Sequence, residues 1–174
     1  MLLRATRDGK RLITIPSDMS TEPATLWDLE NYVQVARLTG HVGPTLSARF
    51  ISGERMILTA GNDATARTWD AATGSPHALY RAGVRALLDA DVTPDGALVA
   101  AAGGDGLVRF WDAATTRALW SLPVSTGPVA GIHFQDGGFL TRSLDGSVRR
   151  WELPKSQTVL DTCGRVPGCA TVSK

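Results

Sequence analysis

Charge of one sign is not in excess in this sequence. Eighteen Lys and Arg stand against 17 Asp and Glu, for a formal net charge of +1, and the two signs are mixed along the chain. That balance argues against nucleic acid or a charged membrane surface as a partner. Long apolar runs are missing too, since none approaches the roughly 20 residues that span a bilayer. The start Met1-Leu2-Leu3-Arg4 lacks the apolar stretch of a secretory signal, so a cytoplasmic location is expected. Cysteine is scarce. Cys163 and Cys169 lie close together near the C-terminus, and three readings of them stay open: two unpaired thiols in a reducing cytosol, which is the simplest; a small disulfide loop, which needs an oxidising compartment; and, last, a metal site, which wants four ligands where no His or further Cys is near.

Helical patterning is also absent. Nowhere does apolar spacing of three and four persist over a dozen residues, which leaves no helices to cover a parallel sheet. The apolar runs are short, as in Met56-Ile57-Leu58-Thr59-Ala60 and Leu98-Val99-Ala100-Ala101, and read as strands. The fold class expected is all-β. Catalytic signatures are lacking in the same way: no Gly-x-Ser-x-Gly elbow, His-Glu-x-x-His helix, Walker loop or dinucleotide glycine motif occurs. Gly103-Gly104-Asp105-Gly106 resembles a phosphate cradle superficially, but no helix follows it to face an anion. It reads as a strand turn. The sequence is therefore expected to be no enzyme and to carry no cofactor or metal.

What is present is a repeat. Trp27, Trp69, Trp111 and Trp151 recur 42, 42 and 40 residues apart, each in a matching context: Leu26-Trp27-Asp28, Thr68-Trp69-Asp70, Phe110-Trp111-Asp112 and Arg150-Trp151-Glu152. A period of this length marks a repeat architecture, in which each unit buries its apolar face only against its neighbours. Asp63, Asp105 and Asp145 stand six positions before their tryptophans, whereas Asp18 stands nine before Trp27, as if that turn held a three-residue insertion. Each repeat reads as four strands. The expected units are about 1–39, 40–81, 82–123 and 124–160, followed by a tail, 161–174.

These residues resemble the WD-repeat family, whose units end their third strand in Trp-Asp and often open with Gly-His. The resemblance covers nearly the whole chain to about Leu160. It implies a β-propeller of about four four-stranded antiparallel blades, partial or half of a ring, that binds a protein or peptide and does not catalyse a reaction. WD repeats of this Ala-rich style resemble those of bacterial-type signalling proteins, where they serve as scaffold or sensor. The family's structural tetrad falls on His41, Thr59, Asp63 and Trp69. Partial sets fall on Thr14, Asp18 and Trp27, on Asp105 and Trp111, and on Thr141, Asp145 and Trp151. The third repeat has Gly83 and Ala101 where the histidine and hydroxyl belong, and the fourth has Ser125 near the histidine position. His77 and His133 have no motif partner.

The resemblance also carries over a candidate partner-binding face: Ser17, Asn62, Gly104 and Leu144 before the turn aspartates, with Pro44 and Leu46, Ala86 and Leu88, and Pro128 and Ala130 at the opening strands. These residues are small or apolar and uncharged, so a contact with little salt dependence is expected, although they also suit close convergence of blades at a ring centre. Tyr32, Tyr80 and Trp120 are expected in the last strands of their repeats, at an exposed edge, where they either cover apolar surface or make a lateral contact. A ring of seven or eight such units needs about twice this length. Three expectations follow, in this order: these blades belong to a longer protein, they pair with another copy or chain to close a seven- or eight-bladed ring, or they close a compact ring of four. An enzymatic propeller is the last alternative, and it would need titratable residues lining one central cleft. Arg150 stands where Leu26, Thr68 and Phe110 should face the next blade, so that side of the fourth blade is expected to be solvated or to meet an acidic partner. Because only the second repeat has all four tetrad residues, its amides should exchange with solvent more slowly than those of the third; hydrogen exchange showing the reverse order would contradict this.

Overall fold

The computed structural model describes residues 1–16, 19–83, 85–135 and 137–153. The expectations placed on Ser17, Asp18, Cys163, Cys169 and the tail lie outside the described residues. Fifteen strands form four antiparallel sheets, with no helix among the described residues. The first sheet is β1 (Leu2–Ala5), β2 (Arg11–Ile15), β3 (Thr25–Asp28) and β4 (Val33–Arg37); the second is β5 (Thr45–Ile51), β6 (Met56–Gly61), β7 (Thr65–Asp70) and β8 (Pro76–Arg81). The third is β9 (Leu87–Val92), β10 (Leu98–Gly103), β11 (Leu107–Asp112) and β12 (Ala118–Pro123), and the fourth has β13 (Val129–Gln135), β14 (Gly138–Ser143) and β15 (Val148–Glu152). Strands neighbouring in sequence pair within each sheet. The fourth sheet thus has three described strands where four were expected.

First strands of successive sheets run beside one another, β1 by β5, β5 by β9 and β9 by β13, so they form the inner wall of an arc while β4, β8 and β12 lie outside. Alanine makes this convergence possible. Ala60, Ala66, Ala100, Ala101 and Ala102 are all fully buried, and a larger side chain at such positions would force the sheets apart.

Three apolar clusters hold the arc, one at each junction, because a sheet exposes two faces and can bury each only against another sheet. Leu26 and Ile13 of the first sheet meet Trp69 and Ile57 of the second. Leu58 and Tyr80 of the second meet Val99 and Trp111 of the third. Phe110 and Val108 of the third meet Phe134, Phe139 and Trp151 of the fourth. No cluster of the described residues joins the fourth sheet to the first. Trp69, Trp111 and Trp151 therefore look back to the preceding sheet, and the residue before a tryptophan looks forward, as Leu26 and Phe110 do. A register shift falls between these two residues in the first three sheets, at Leu26/Trp27, Thr68/Trp69 and Phe110/Trp111.

The aspartate after each of these tryptophans acts locally, its Oδ1 accepting the backbone N–H of Asn31, Thr73 or Thr115, three residues on, at 3.1, 2.8 and 2.8 Å. That bond closes the turn leading to the outer strand. Of the outer aromatics, Tyr80 and Trp120 lie in the last strands as expected, on β8 and β12, and Tyr32 does not. Tyr32 lies in the turn before β4 with φ 55° and is 86% exposed. Tyr80 is instead buried, because its hydroxyl reaches the carbonyl of Ala113 in the next sheet at 3.0 Å. Trp120 stacks on Phe110 with ring centroids 4.7 Å apart. Phe110 touches Trp120, Phe134 and Phe139 at once, so Phe110→Ala should lower the unfolding free energy by about 3–5 kcal/mol in urea denaturation.

Candidate functional site

The turns between second and third strands, together with the loops entering each first strand, form one rim of the arc. A repeated backbone bond builds it. Asn62 donates to the carbonyl of Pro44, Gly104 to Ala86 and Leu144 to Pro128, each at 2.9 Å. Six residues of the candidate face are thus paired, turn to strand entry, in three successive sheets. The remaining described ones, Leu46, Leu88 and Ala130, line a cleft of about 670 Å³ along the inner strands, which Arg4, Arg49 and Arg142 also line. Pro44 and Leu46 further line a groove of about 420 Å³ with Met1 and Met19.

The rim is stiffened in the second sheet by a series of side-chain bonds. Asp63 receives the backbone N–H of Val42 at 2.9 Å and the hydroxyl of Thr65 at 2.8 Å, and its Oδ1 lies 2.9 Å from His41 Nδ1. Although burial works against it, these donors hold the Asp63 carboxyl below its ordinary value. Asp63 is then an acceptor only, so Nδ1 carries the proton. Burial pushes His41 below its ordinary value despite Asp63, which keeps the ring neutral and makes Nε2 an acceptor. The hydroxyl of Thr59 donates to Nε2 at 2.9 Å and accepts the indole N–H of Trp69 at 2.9 Å. Asp63 thus gathers three donors, from Val42, Thr65 and His41, and the remaining bonds run end to end from the His41 ring through Thr59 to Trp69, so the indole bonds the hydroxyl and not the aspartate.

The other sheets keep fragments of this series. Trp27 donates to Thr14 at 3.0 Å and Trp151 to Thr141 at 2.9 Å. In the third sheet, Ala101 offers Trp111 no hydroxyl, and Arg109 takes over the partner role by binding Asp105 through two guanidinium nitrogens, at 3.0 and 2.5 Å. Arg109 was legible as a candidate, because Arg67, Arg109 and Arg149 all stand two before a tryptophan. Asp145 is exposed and accepts from the backbone of Ser147 at 2.8 Å, while Ser125 binds the backbone of Gly127. Gly103 to Gly106 form the β10–β11 turn, with Gly106 donating to Gly103 at 3.3 Å.

A second network, not anticipated from sequence, crosses three sheets. Arg49 on β5 reaches both oxygens of Asp89 at 2.8 Å and Asp91 at 2.9 Å, on β9. Those carboxylates accept the backbone N–H of Ile132 at 3.1 Å and of Phe134 at 2.9 Å, on β13, and Asp91 lies 3.1 Å from His133 Nδ1. Burial works against the Arg49 charge, but the two aspartates hold it on. Two acids at alternate positions of an otherwise apolar strand, Leu87 to Val92, were the signal: both point to one face, and there they need a cation. Arg4 and Arg142 make no ion pair among the described residues. The cleft below the rim therefore carries charge that the rim residues themselves do not. Among the described residues no group of three or more His, Cys, Asp or Glu is placed to hold a metal, and no helix is long and apolar enough to cross a membrane.

A family model described as WD domain, G-beta repeat, matches residues 32–70 and 75–112. Each match begins near or in the outer strand of one sheet and ends with the third strand of the next, so the repeating unit of sequence staples two sheets together. Solved structures similar to this chain include the crystal structure of the computationally designed Ika4 protein, with a TM-score of 0.74, 18% identity, and 87% of this chain and 89% of that chain covered. At that identity the likeness shows the fold. No curated protein matches this chain.

The neutral state of His41 sets a pH dependence. Its lowered value means stability is fully present above the unfolded value near 6.5 and is lost as pH falls through the lower folded value. Thermal melts taken from neutral pH down to about pH 5 should show a steeper loss for the natural chain than for His41→Asn, whose amide can still donate to Asp63 and does not titrate. Equal slopes would remove His41 as the source.

Proposed function

Because this chain is a WD-repeat protein, we propose that it acts as a non-catalytic protein-interaction module that receives an extended protein segment on the rim and the cleft below it. Repeats of this kind generally mediate contacts between proteins, and the rim has the chemistry for one.

The observation that carries this reading is where the exposed apolar side chains stand. Val42, Met19 and Leu144 are 79%, 62% and 66% exposed, and all three belong to rim loops, beside Asp63, in the β2–β3 turn and in the β14–β15 turn. Met1, 76% exposed, borders the same groove as Met19. Exposed apolar groups gathered on one rim, over a preformed cleft, mark an interaction site. The exposed guanidinium groups of Arg4 and Arg142, which make no ion pair among the described residues, favour a partner with an acidic residue next to an apolar one. Salt dependence should accordingly exceed what the uncharged rim alone implies. The other titratable groups that share the cleft, Arg49, Asp89 and His133, belong to the ion network that ties the inner strands together, whereas His77 stands on the outer strand of the second sheet.

Quantitative capture of partners by the immobilised full chain tests the reading. Leu46→Asp and Leu88→Asp should weaken binding of a genuine partner by about tenfold or more, while Tyr32→Asp, on the outer turn, should not. Binding lost with the Tyr32 variant and kept with both leucine variants would place the contact on the outer edge and overturn the proposal.

A further inference from the structure

The arc ends in two sheet faces that repeat positions buried everywhere else. Three residues before tryptophan stand Ala24, Ala66 and Val108, each fully buried; the fourth sheet has Val148, 64% exposed. One residue before tryptophan stand Leu26, Thr68 and Phe110, at most 4% exposed, and then Arg150, which is exposed. Arg142, also exposed, takes the position of Ala60 and Ala102, both 0% exposed. At the other end, Leu12 and Trp27 are half-buried where Ile57 and Trp69, or Val99 and Trp111, are buried. One end is apolar and aromatic. The other mixes apolar groups with two cations.

We propose that these ends bind each other between two copies of the chain, the forward face of the fourth sheet on the backward face of the partner's first, twice over, closing one ring of two arcs. The contact repeats the step already taken at each interior junction. There the residue before tryptophan enters the same cluster as the next sheet's tryptophan, Leu26 with Trp69 and Phe110 with Trp151. Continued once more, the step places Arg150 of one copy on Trp27 of the other. A guanidinium over an indole face is a favourable pair that keeps the charge partly solvated. A head-to-tail contact of constant rotation generates a ring when the rotation closes, and two arcs of four sheets fall within the range of propeller sizes. Arg142 and Arg150 also explain why two forward faces do not pair with each other, since four cations would then be brought together.

Sedimentation equilibrium of the full chain at high micromolar concentration decides the matter. The expected mass is twice the 18.5 kDa of one chain. Arg150→Glu and Val148→Asp, both at positions exposed in the single chain, should each raise the dissociation constant about tenfold or more, with circular dichroism unchanged. Arg117→Glu, on an exposed turn away from both faces, should leave the mass doubled. A single-chain mass, a series of higher multiples, or a dimer indifferent to both end-face variants would overturn the proposal.

Discussion

Packing of one sheet's forward face on the next sheet's backward face is the constraint from which the rest follows. A lone four-stranded sheet of this size cannot bury two faces, so its stability is borrowed from its neighbours. Tryptophan is suited to the backward face because it is large enough to fill the outer part of a wedge-shaped gap, while alanines fill the narrow inner part. The indole N–H then needs a partner, and Thr14, Thr59 and Thr141 provide one from the adjacent strand. Where the hydroxyl is missing, at Ala101, the sheet compensates elsewhere: Trp111 is packed edge-on by Tyr80, and Asp105 is held by Arg109.

Apolar contact alone sets distance but permits sliding. The Arg49 network resists it, since one guanidinium fixes two carboxylates, and these in turn fix two backbone N–H groups of β13. Burying such charges returns little net stability compared with an apolar core. Its value here is geometric. Three inner strands are locked in register by bonds that tolerate only one alignment, and the cleft they line is thereby held open in one shape.

The repeat was legible because it rests on spacing, and spacing survives when individual residues change. Trp27, Trp69, Trp111 and Trp151 located every third strand, and the strand runs between them fixed an all-β architecture. Exposure of Arg150 also followed from its contrast with Leu26 and Phe110. Other features were hidden because they depend on pairing across the fold. Asp89 and Asp91 carry no motif, and only the neighbouring sheets show that Arg49 is their cation. Tyr80 and Tyr32 look alike in sequence, yet one bonds to the next sheet and the other projects from a turn. The order of bonds around Asp63 likewise needed geometry, since composition supplies the donors without their direction.

Every large apolar side chain that remains exposed among the described residues falls in one of three places. Leu3 and Val148 lie on the end faces, Tyr32 and Val33 on the outer edge of the first sheet, and Met1, Met19, Val42 and Leu144 along one rim. The interior junctions leave none uncovered, so the exposure is not a failure of packing in general. It is confined to surfaces where the repeat either stops or turns. Loops can hold such groups at little cost because the sheets beneath carry the stability, and the inner ion network keeps those sheets from adjusting to whatever binds. A rim that is apolar, locally variable and mounted on a rigid base suits selection among partners, whereas the end faces, whose residues obey the repeat, suit only a surface that obeys it too.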